Sequence, residues 1–333
     1  MRVVALEEHF ALPELVGRID RDVITRRGFP PPGVVWSQAM KQKELQDLGP
    51  ARIADMDAAG ITVQVLSVSG PGTDLLAGKE AETLARDYND ALKRAVDRHP
   101  GRLAGFAHLP MLSPEAAADE LERAVTQLGF HGALINGLTD GRFLDDAAFD
   151  PILSRAEQLD VPIYLHPNIP PEAVRQAYYE GLPGPLGFML SIAGWGWHIE
   201  TGLHILRLAL NGTLERHPKL KLIIGHMGEA LPFMLARTEQ VVGAVMAERY
   251  RRSLTQMVLD QVWITNSGFF SVPPLLAALT TFGADRIMFS VDYPFAANAA
   301  ARKFLDEIPV SPQDRAKIAH ENADQLLKMK LSG

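Results

Sequence analysis

The sequence contains no cysteine, which excludes disulfide bridges, thiolate nucleophiles and cysteine-bound metal sites. It has no apolar run near the roughly 18–20 residues that a membrane-spanning helix needs, and its N-terminus has no cationic segment followed by an apolar one. The sequence also has no excess of positive charge, since its net charge is −7. Proteins that bind nucleic acids or anionic membranes usually present a basic face, so this charge argues against such partners. These absences predict a cytoplasmic protein that binds neither nucleic acid nor membrane.

The composition is that of an ordinary globular protein with material for a large core. Of the 333 residues, 47% are hydrophobic and 22% are charged. The chain has no internal repeat, low-complexity tract or linker that would divide it. We therefore expect one domain over residues 1–333, a length that α/β barrels routinely reach.

Short β-branched and apolar runs alternate with amphipathic segments along the chain. Eight such runs are predicted as strands, at residues 3–7, 61–68, 103–109, 132–136, 162–166, 220–226, 262–266 and 287–292. Helical patterns occupy residues 77–101, 113–129, 146–160 and 273–285, and Ser113 is the predicted N-cap of the second. This alternation predicts an α/β fold, a (β/α)₈ TIM barrel with loops inserted over its mouth. An open doubly wound sheet is the alternative, although no G-x-G-x-x-G motif opens its first βα turn.

Two long segments, 11–49 and 168–197, interrupt the alternation. The second is rich in proline and glycine and carries the aromatic residues Tyr178, Tyr179, Phe188, Trp195 and Trp197. Long loops inside a compact domain usually serve a function. We expect both segments to form loops or small helices over the barrel mouth, or to lie at a subunit interface.

Residues able to bind a metal end three of the predicted strands. Glu7 and His9 are two apart on the first strand, so their side chains leave the same face, while Glu8 points toward the helices. His166 ends the fifth strand and Asp292 the eighth, and such strand ends meet at the mouth of a TM barrel. Two imidazoles and two carboxylates around one point predict a divalent-metal site suited to Zn or Mn.

Each of these residues alone also has a structural explanation, such as a hydrogen-bonded histidine or a turn-capping aspartate. Their convergence favours a metal site, because buried charge is costly unless it is paired or metal-bound. The other histidines are interpreted as structural, including His198 and His204 in the helix before the sixth strand. His108, near the end of the third strand, is a further candidate for lining the site.

Six motifs occur in order along nearly the whole chain: ALEEHF, FHGALINGL, VPIYLHP, WGWHIETGLHILRL, LKLIIGHMGEALPFMLAR and ADRIMFSVDYPF. Together they resemble the metal-dependent decarboxylases of the amidohydrolase superfamily, with a pattern closest to γ-resorcylate and 2,3-dihydroxybenzoate decarboxylases. Glu7-x-His9 stands where the superfamily ordinarily has His-x-His, as it does in these decarboxylases. No strand-end lysine matches the carboxylated lysine of binuclear members. The resemblance therefore implies one divalent metal ion (Zn, Mn or Mg), no organic cofactor, and a homodimer or homotetramer.

The resemblance also implies roles for individual residues. The metal ligands would be Glu7, His9, His166 and Asp292. A polar pair for proton handling would be His226 and Glu229. Substrate contacts would come from Asn136, Arg237, Phe295 and Phe29, with the two phenylalanines sandwiching the ring and Arg237 acting across a subunit boundary.

The implied reaction is non-oxidative decarboxylation of an ortho-hydroxylated aromatic acid, with Asp292 protonating the ring carbon and His226 assisting. An alternative is a hydrolase, in which the same ligands activate water toward a lactone or amide. Glu7 in place of the first histidine and the aromatic contact residues favour decarboxylation. A third interpretation, a structural metal in a binding protein, is disfavoured because structural sites are closed, whereas this site is expected at an open barrel mouth.

Overall fold

A computed structural model of the protein describes residues 1–29 and 41–329, and every structural statement below concerns those residues. Its parallel strands are β1 Val4–Phe10, β2 Val63–Val68, β3 Leu103–Gly105, β4 Ala133–Asn136, β5 Pro162–His166, β6 Lys221–Ile224, β7 Val262–Thr265 and β8 Ile287–Met288. Nearly every strand residue is buried, because the strands are covered on one face by helices and fill the barrel interior with the other.

Two single bridges close the strands into a barrel. Strands β1 to β3 form one ladder and β4 to β8 form another. A parallel bridge between Ala107 and Ala133 joins the ladders after β3, and a bridge between Glu8 and Tyr293 joins β1 to the segment after β8. The backbone N–H of His9 donates to the Tyr293 carbonyl at 2.7 Å across this second junction. The predicted (β/α)₈ barrel is confirmed, and the open-sheet alternative is wrong.

Each of the four predicted helical segments contains most or all of one helix, and each of these helices is shorter than its predicted segment. The helices are α1 Pro13–Val16, α2 Arg21–Arg27, α3 Gln42–Gln46, α4 Pro50–Ala59, α5 Gly78–Arg98, α6 Pro114–Thr126, α7 Asp150–Leu159, α8 Glu172–Tyr179, α9 Leu186–Ser191, α10 Gly196–Leu210, α11 Thr213–Arg216, α12 Leu231–Arg249, α13 Leu254–Gln261, α14 Val272–Phe282, α15 Asn298–Glu307, α16 Pro312–Ala316 and α17 Asn322–Leu326. None of the helices within 1–29 and 41–329 combines the length and apolarity needed to cross a membrane.

Ser113 occupies the predicted N-cap position of α6, but it makes no side-chain capping hydrogen bond. The Ser113 side chain accepts no helix N–H bond, and its backbone ψ is 76°. Ser253 and Ser311 do cap their helices through their side chains, and their ψ angles are 164° and 155°. The Ser113 backbone is therefore turned away from the extended geometry in which a side chain reaches the first helical turn.

The two long segments cover the mouth, as expected. The first contains α1, α2 and α3, and its residues 30–40 lie outside the described part of the chain. The second contains α8 and α9. Phe29 from the first segment packs with Ile169 and Ile192 from the second, and Phe188 and Trp197 pack against this cluster. The two insertions thus form an apolar cover beside the strand ends.

Candidate active site

Strand β1 turns Glu7 and His9 into the barrel mouth. Its pairing with β2 shifts register between Ala5 and Glu8, where β1 uses one residue more than β2. The Oε1 atom of Glu7 lies 3.4 Å from His166 Nε2 and 3.3 Å from His226 Nε2. The His9 Nε2 atom lies 3.2 Å from Asp292 Oδ1. The structure therefore brings five predicted site residues from four parts of the chain together.

Glu8 points the opposite way, as predicted, and has a structural environment. Its carboxyl group accepts hydrogen bonds from the backbone N–H groups of Val291 and Tyr293 at 2.9 and 3.2 Å, and from the Ser290 hydroxyl at 3.2 Å. Burial raises the pKa of Glu8 to about 8, even though the two backbone N–H groups oppose that rise. Glu8 therefore ties β1 to the segment after β8.

The Glu7 cluster fits a divalent metal ion. Ligand atoms of Glu7, His9 and His166 all lie within 4.8 Å of one another. Glu7 Oε1 and His9 Nε2 are buried, and neither has a hydrogen-bond partner among the described residues. Such orphaned atoms are costly in a protein interior unless something binds them. Asp292 is not part of this group of three, but its Oδ1 atom lies 3.2 Å from His9 Nε2. Glutamate, aspartate and imidazole are the donors expected for Zn or Mn.

The charge on Glu7 is fixed by its neighbours. Burial alone would raise its pKa, but His226, His166 and His9 together hold the pKa well below its usual value. The Tyr164 hydroxyl donates to Glu7 Oε2, and burial raises the pKa of Tyr164 well above its usual value, so the phenol stays protonated as a donor. Gly225 makes room for this pair, because a Cβ there would collide with Glu7 Oε2. Glu7 is therefore an ionised, oriented carboxylate near neutral pH.

A second polar cluster lies behind the first. Glu229 Oε1 lies 2.7 Å from His226 Nδ1, and Glu229 Oε2 lies 2.7 Å from His198 Nδ1. Burial disfavours the cationic form of His226, but Glu7 and Glu229 raise its pKa to about 10. Burial likewise opposes charge on Glu229, but His226 and His198 lower its pKa. Glu229 is thus a carboxylate shared by two imidazoles.

The backbone at these residues is strained. Residues 226–230 all have positive φ, with values of 48° at His226, 52° at Glu229 and 63° at Ala230, and Asp292 has φ 71°. The predicted sixth strand is too long because β6 ends at Ile224, before this turn, and the predicted third and eighth strands are also too long, since β3 ends at Gly105 and β8 at Met288. Left-handed non-glycine residues cost about 1–3 kcal/mol each and cluster at functional sites. This strain supports a functional role for the two turns.

A pocket opens above the Glu7 cluster. Seven of the predicted site residues line it: His9, Phe29, Asn136, His166, His226, Asp292 and Phe295. The Phe295 ring lies 5.6 Å from the His9 imidazole, measured between ring centroids. Arg237 does not line this pocket in the described part of the chain and lies exposed on α12.

Other site residues were missed by the sequence analysis or assigned differently. The sequence predicts a structural role for His198, and in the structure its Nδ1 atom lies 2.7 Å from Glu229 Oε2. Tyr164 carried a usable signal, because it lies two residues before His166 on β5 and so shares its inward face. Trp197 and Asn168 line the pocket from the inserted segment, where no periodicity predicts a side-chain direction.

His108 is a structural residue and does not line the pocket within the described chain. Its Nε2 atom accepts a hydrogen bond from the Thr73 backbone N–H at 3.0 Å. Burial lowers the pKa of His108 to about 4. The histidine is therefore neutral and serves the loop after β2.

Comparison with known proteins agrees with this geometry. The amidohydrolase family model matches residues 9–329. The γ-resorcylate decarboxylase of Rhizobium radiobacter is 38% identical over 337 residues, covering 98% of each chain. A crystal structure of 2,6-dihydroxybenzoate decarboxylase complexed with 2,6-dihydroxybenzoate is 36% identical, with a TM-score of 0.86 over 99% of this chain and 100% of that one.

A dihydroxybenzoic acid decarboxylase from Polaromonas sp. JS666 carries manganese and the inhibitor 2-nitroresorcinol. It is 34% identical, with a TM-score of 0.85 over 98% of this chain and 97% of that one. This relative binds a divalent metal, and the donor set of the Glu7 cluster fits the same kind of ion. The fold, the donor set and the relatives agree, and this chain belongs to the amidohydrolase family, among its metal-dependent decarboxylases.

Proposed function

We propose that this enzyme removes CO₂, without oxidation, from an ortho-hydroxylated aromatic acid that resembles a dihydroxybenzoate. The observation that carries the proposal is the pocket lined by the imidazoles of His9 and His166 and by the Phe295 ring, with the ionised Glu7 carboxylate 3.4 Å from His166 Nε2. A flat, anionic ring bearing oxygen substituents suits such a pocket. The relatives named for dihydroxybenzoates, over nearly the whole chain, support this substrate class and disfavour a lactone or amide hydrolase.

Glu7, His9, His166 and Asp292 would hold one divalent ion. When bound, the ion would supply Lewis-acid stabilisation to negative charge on the substrate carboxylate and ortho oxygen. Manganese in a relative supports Mn, and the nitrogen and oxygen donors also suit Zn. The orphaned atoms of Glu7 and His9 are the part of the donor set that most needs the ion.

Asp292 is the proposed proton donor. Protonated when the substrate binds, the Asp292 carboxyl group gives its proton to the ring carbon that bears the carboxylate, which the ortho oxygen makes electron-rich. The bond between that carbon and the carboxylate then breaks, its electrons restore the aromatic ring, and CO₂ leaves. A new proton from solvent then restores the Asp292 carboxylic acid, so each CO₂ released from the substrate carboxylate consumes one proton. A positioned acid of this kind contributes about 10²–10⁴-fold to the rate.

His226 and Glu229 are proposed to assist this transfer. Glu229 accepts the Nδ1 hydrogen of His226 at 2.7 Å, so the opposite ring nitrogen faces Glu7 and the pocket. That arrangement lets His226 hydrogen-bond to the substrate or to Asp292 while its ring orientation stays fixed. Asn136 would contact a ring hydroxyl, and Phe295 and Phe29 would flank the ring, since all three line the pocket.

Arg237 is proposed to act on the pocket of a second copy of the chain in a homodimer or homotetramer. It lies on α12 between Phe233 and Val241, whose exposed fractions are 79% and 64%. Exposed apolar residues on one helix usually mark a protein interface. A second copy covering this helix would bring the guanidinium toward a neighbouring site, where it would bind the substrate carboxylate.

The test measures CO₂ release by protein whose metal content has been determined. The substrates are salicylate, 2,3- and 2,6-dihydroxybenzoate, benzoate and 3-hydroxybenzoate. We expect CO₂ release only from the acids with an ortho hydroxyl group. Release from benzoate at the same rate would contradict the proposed role of the ortho oxygen. No release from any acid, with hydrolysis of a lactone by the same preparation, would overturn the proposed function.

A further inference from the structure

The carboxylate of Glu229 joins two histidines, of which the proposed mechanism uses one. Each oxygen lies 2.7 Å from the Nδ1 atom of one imidazole, Oε1 from His226 and Oε2 from His198. Because a carboxylate only accepts hydrogen bonds, both Nδ1 atoms are donors. The carboxylate is therefore clamped at both ends, and its orientation depends on both rings.

His198 is itself held rigidly. Its Nε2 atom lies 3.0 Å from the Ala193 carbonyl oxygen and 3.2 Å from Trp197 Nε1. Its ring packs edge-to-face on His226 at 4.5 Å and on Phe269 at 5.4 Å between centroids. The His198 imidazole is buried and packed on several sides. Its position is therefore fixed by its surroundings, and it can hold the Glu229 carboxylate in place.

The helix that carries His198 is fitted to the turn that carries Glu229. Gly202 lies four residues after His198, on the same face of α10. A Cβ at Gly202 would collide with the Glu229 carbonyl oxygen. The α10 backbone therefore touches the left-handed turn directly, which sets the distance between His198 and Glu229.

The same three side chains also have the chemistry of a metal site, since their ligand atoms lie within 4.8 Å. Their geometry argues against that use. Each nitrogen-to-oxygen distance is 2.7 Å, the length of a charge-assisted hydrogen bond, and each of these Nδ1 atoms already has Glu229 as its partner. The Glu7 cluster differs, because Glu7 Oε1 and His9 Nε2 have no hydrogen-bond partner among the described residues and lie 3.2–3.4 Å from their nearest charged neighbours.

We propose that His198 is a positioning residue for the decarboxylation, holding Glu229 so that Glu229 holds the His226 ring toward the pocket. This inference rests on the proposed function. It gives His198 no contact with substrate. Helix α10 would thus act on the reaction through two successive hydrogen bonds, from His198 to Glu229 and from His226 to Glu229.

The first experiment compares His198→Leu with His198→Asn and His198→Gln in the metal-loaded enzyme. The leucine removes the donor, the asparagine amide can replace Nδ1, and the glutamine amide reaches the Nε2 position instead. We expect kcat to fall about 10–100-fold in His198→Leu, with little change in KM or bound metal. We expect His198→Asn to recover most of kcat and His198→Gln to recover little.

The matched control is His204→Leu, which removes a second buried histidine from the same helix. His204 Nε2 accepts the Leu144 N–H at 2.7 Å, so this change should lower stability but leave kcat of the folded enzyme unchanged. A wild-type kcat in His198→Leu would overturn the proposal. Equal losses in His198→Asn and His198→Leu that follow the unfolding midpoint would also overturn it, because they indicate a purely structural role. If His198→Leu does not fold, the asparagine and glutamine variants decide the question.

A second readout does not depend on turnover. Histidine side chains labelled with ¹⁵N report imidazole N–H protons in strong hydrogen bonds as low-field NMR signals. We expect the His226 Nδ1–H signal to shift in His198→Leu and to stay in place in His204→Leu. An unmoved signal would overturn the positioning role even if no aromatic acid were a substrate, which separates this failure from failure of the proposed function.

Discussion

Glu7 and Glu8 are adjacent carboxylates with opposite surroundings, and they offer a matched pair of substitutions. Glu7→Gln removes the charge from an oxygen that faces two imidazoles, so we expect bound metal and turnover to be largely lost. Glu8→Gln should retain metal, because burial raises the pKa of Glu8 to about 8 and the group is mostly neutral at pH 7. Metal analysis of both purified variants makes the comparison. Full metal content in Glu7→Gln would contradict the assigned ligand set.

His108 gives the protein a defined response to acid. Its pKa is about 4 in the fold and 6.5 unfolded, so between these values the unfolded chain binds the extra proton. The stability that neutral His108 contributes is present above pH 6.5 and is lost as the pH falls toward 4, by roughly 3 kcal/mol in total.

The measurement is urea unfolding of wild type and His108→Gln at pH values from 7 to 5. The glutamine oxygen can still accept the Thr73 N–H but does not titrate in this range. We expect the free energy of unfolding to fall less steeply in the variant as the pH is lowered. Parallel pH profiles would show that His108 is not the buried neutral group described here.

At the scale of elements, the fit between α10 and the left-handed turn should be sensitive to one methyl group. In Gly202→Ala the new Cβ meets the Glu229 carbonyl oxygen, so we expect a loss of about 1–3 kcal/mol in stability and a lower kcat. Gly243→Ala on α12 is the control, because its Cβ meets only the end of the flexible Glu239 side chain. That control should be neutral or stabilising by up to about 1 kcal/mol. A fully active Gly202→Ala enzyme would contradict the close contact.

The elements also explain what the sequence could and could not predict. Parallel strands share a direction, so the residues at their carboxyl ends meet, and this rule placed Glu7, His9 and His166 together. His198 escaped prediction because its partner Glu229 lies in a turn of positive-φ residues that no periodicity signals. The pocket positions of Trp197, in the first turn of α10, and of Asn168, after β5, escaped for a similar reason, since neither lies in a segment whose periodicity predicts a direction toward the pocket.

At the scale of the whole molecule, the proposed crossing of Arg237 between copies can be tested by complementation. Arg237→Ala and Asp292→Asn should each be nearly inactive alone. After the two are mixed and allowed to exchange subunits, a mixed pair has one pocket with an intact Asp292 and a partner's arginine. We expect part of the wild-type activity to return, together with a light-scattering mass above that of one chain. Mixtures as inactive as their components would place Arg237 in its own protomer's site or outside catalysis.

Decarboxylation by protonation of the ring is tested most directly by what replaces the carboxylate on the ring carbon. Wild-type enzyme turns over the best acid of the panel in D₂O, and NMR and released CO₂ are measured together, with metal-loaded Asp292→Asn as the control. We expect one deuterium at the carbon that bore the carboxylate, one CO₂ per product molecule, and little product from the variant. A product that retains its carboxylate, or an Asp292→Asn enzyme that holds metal and turns over at the wild-type rate, would contradict this mechanism.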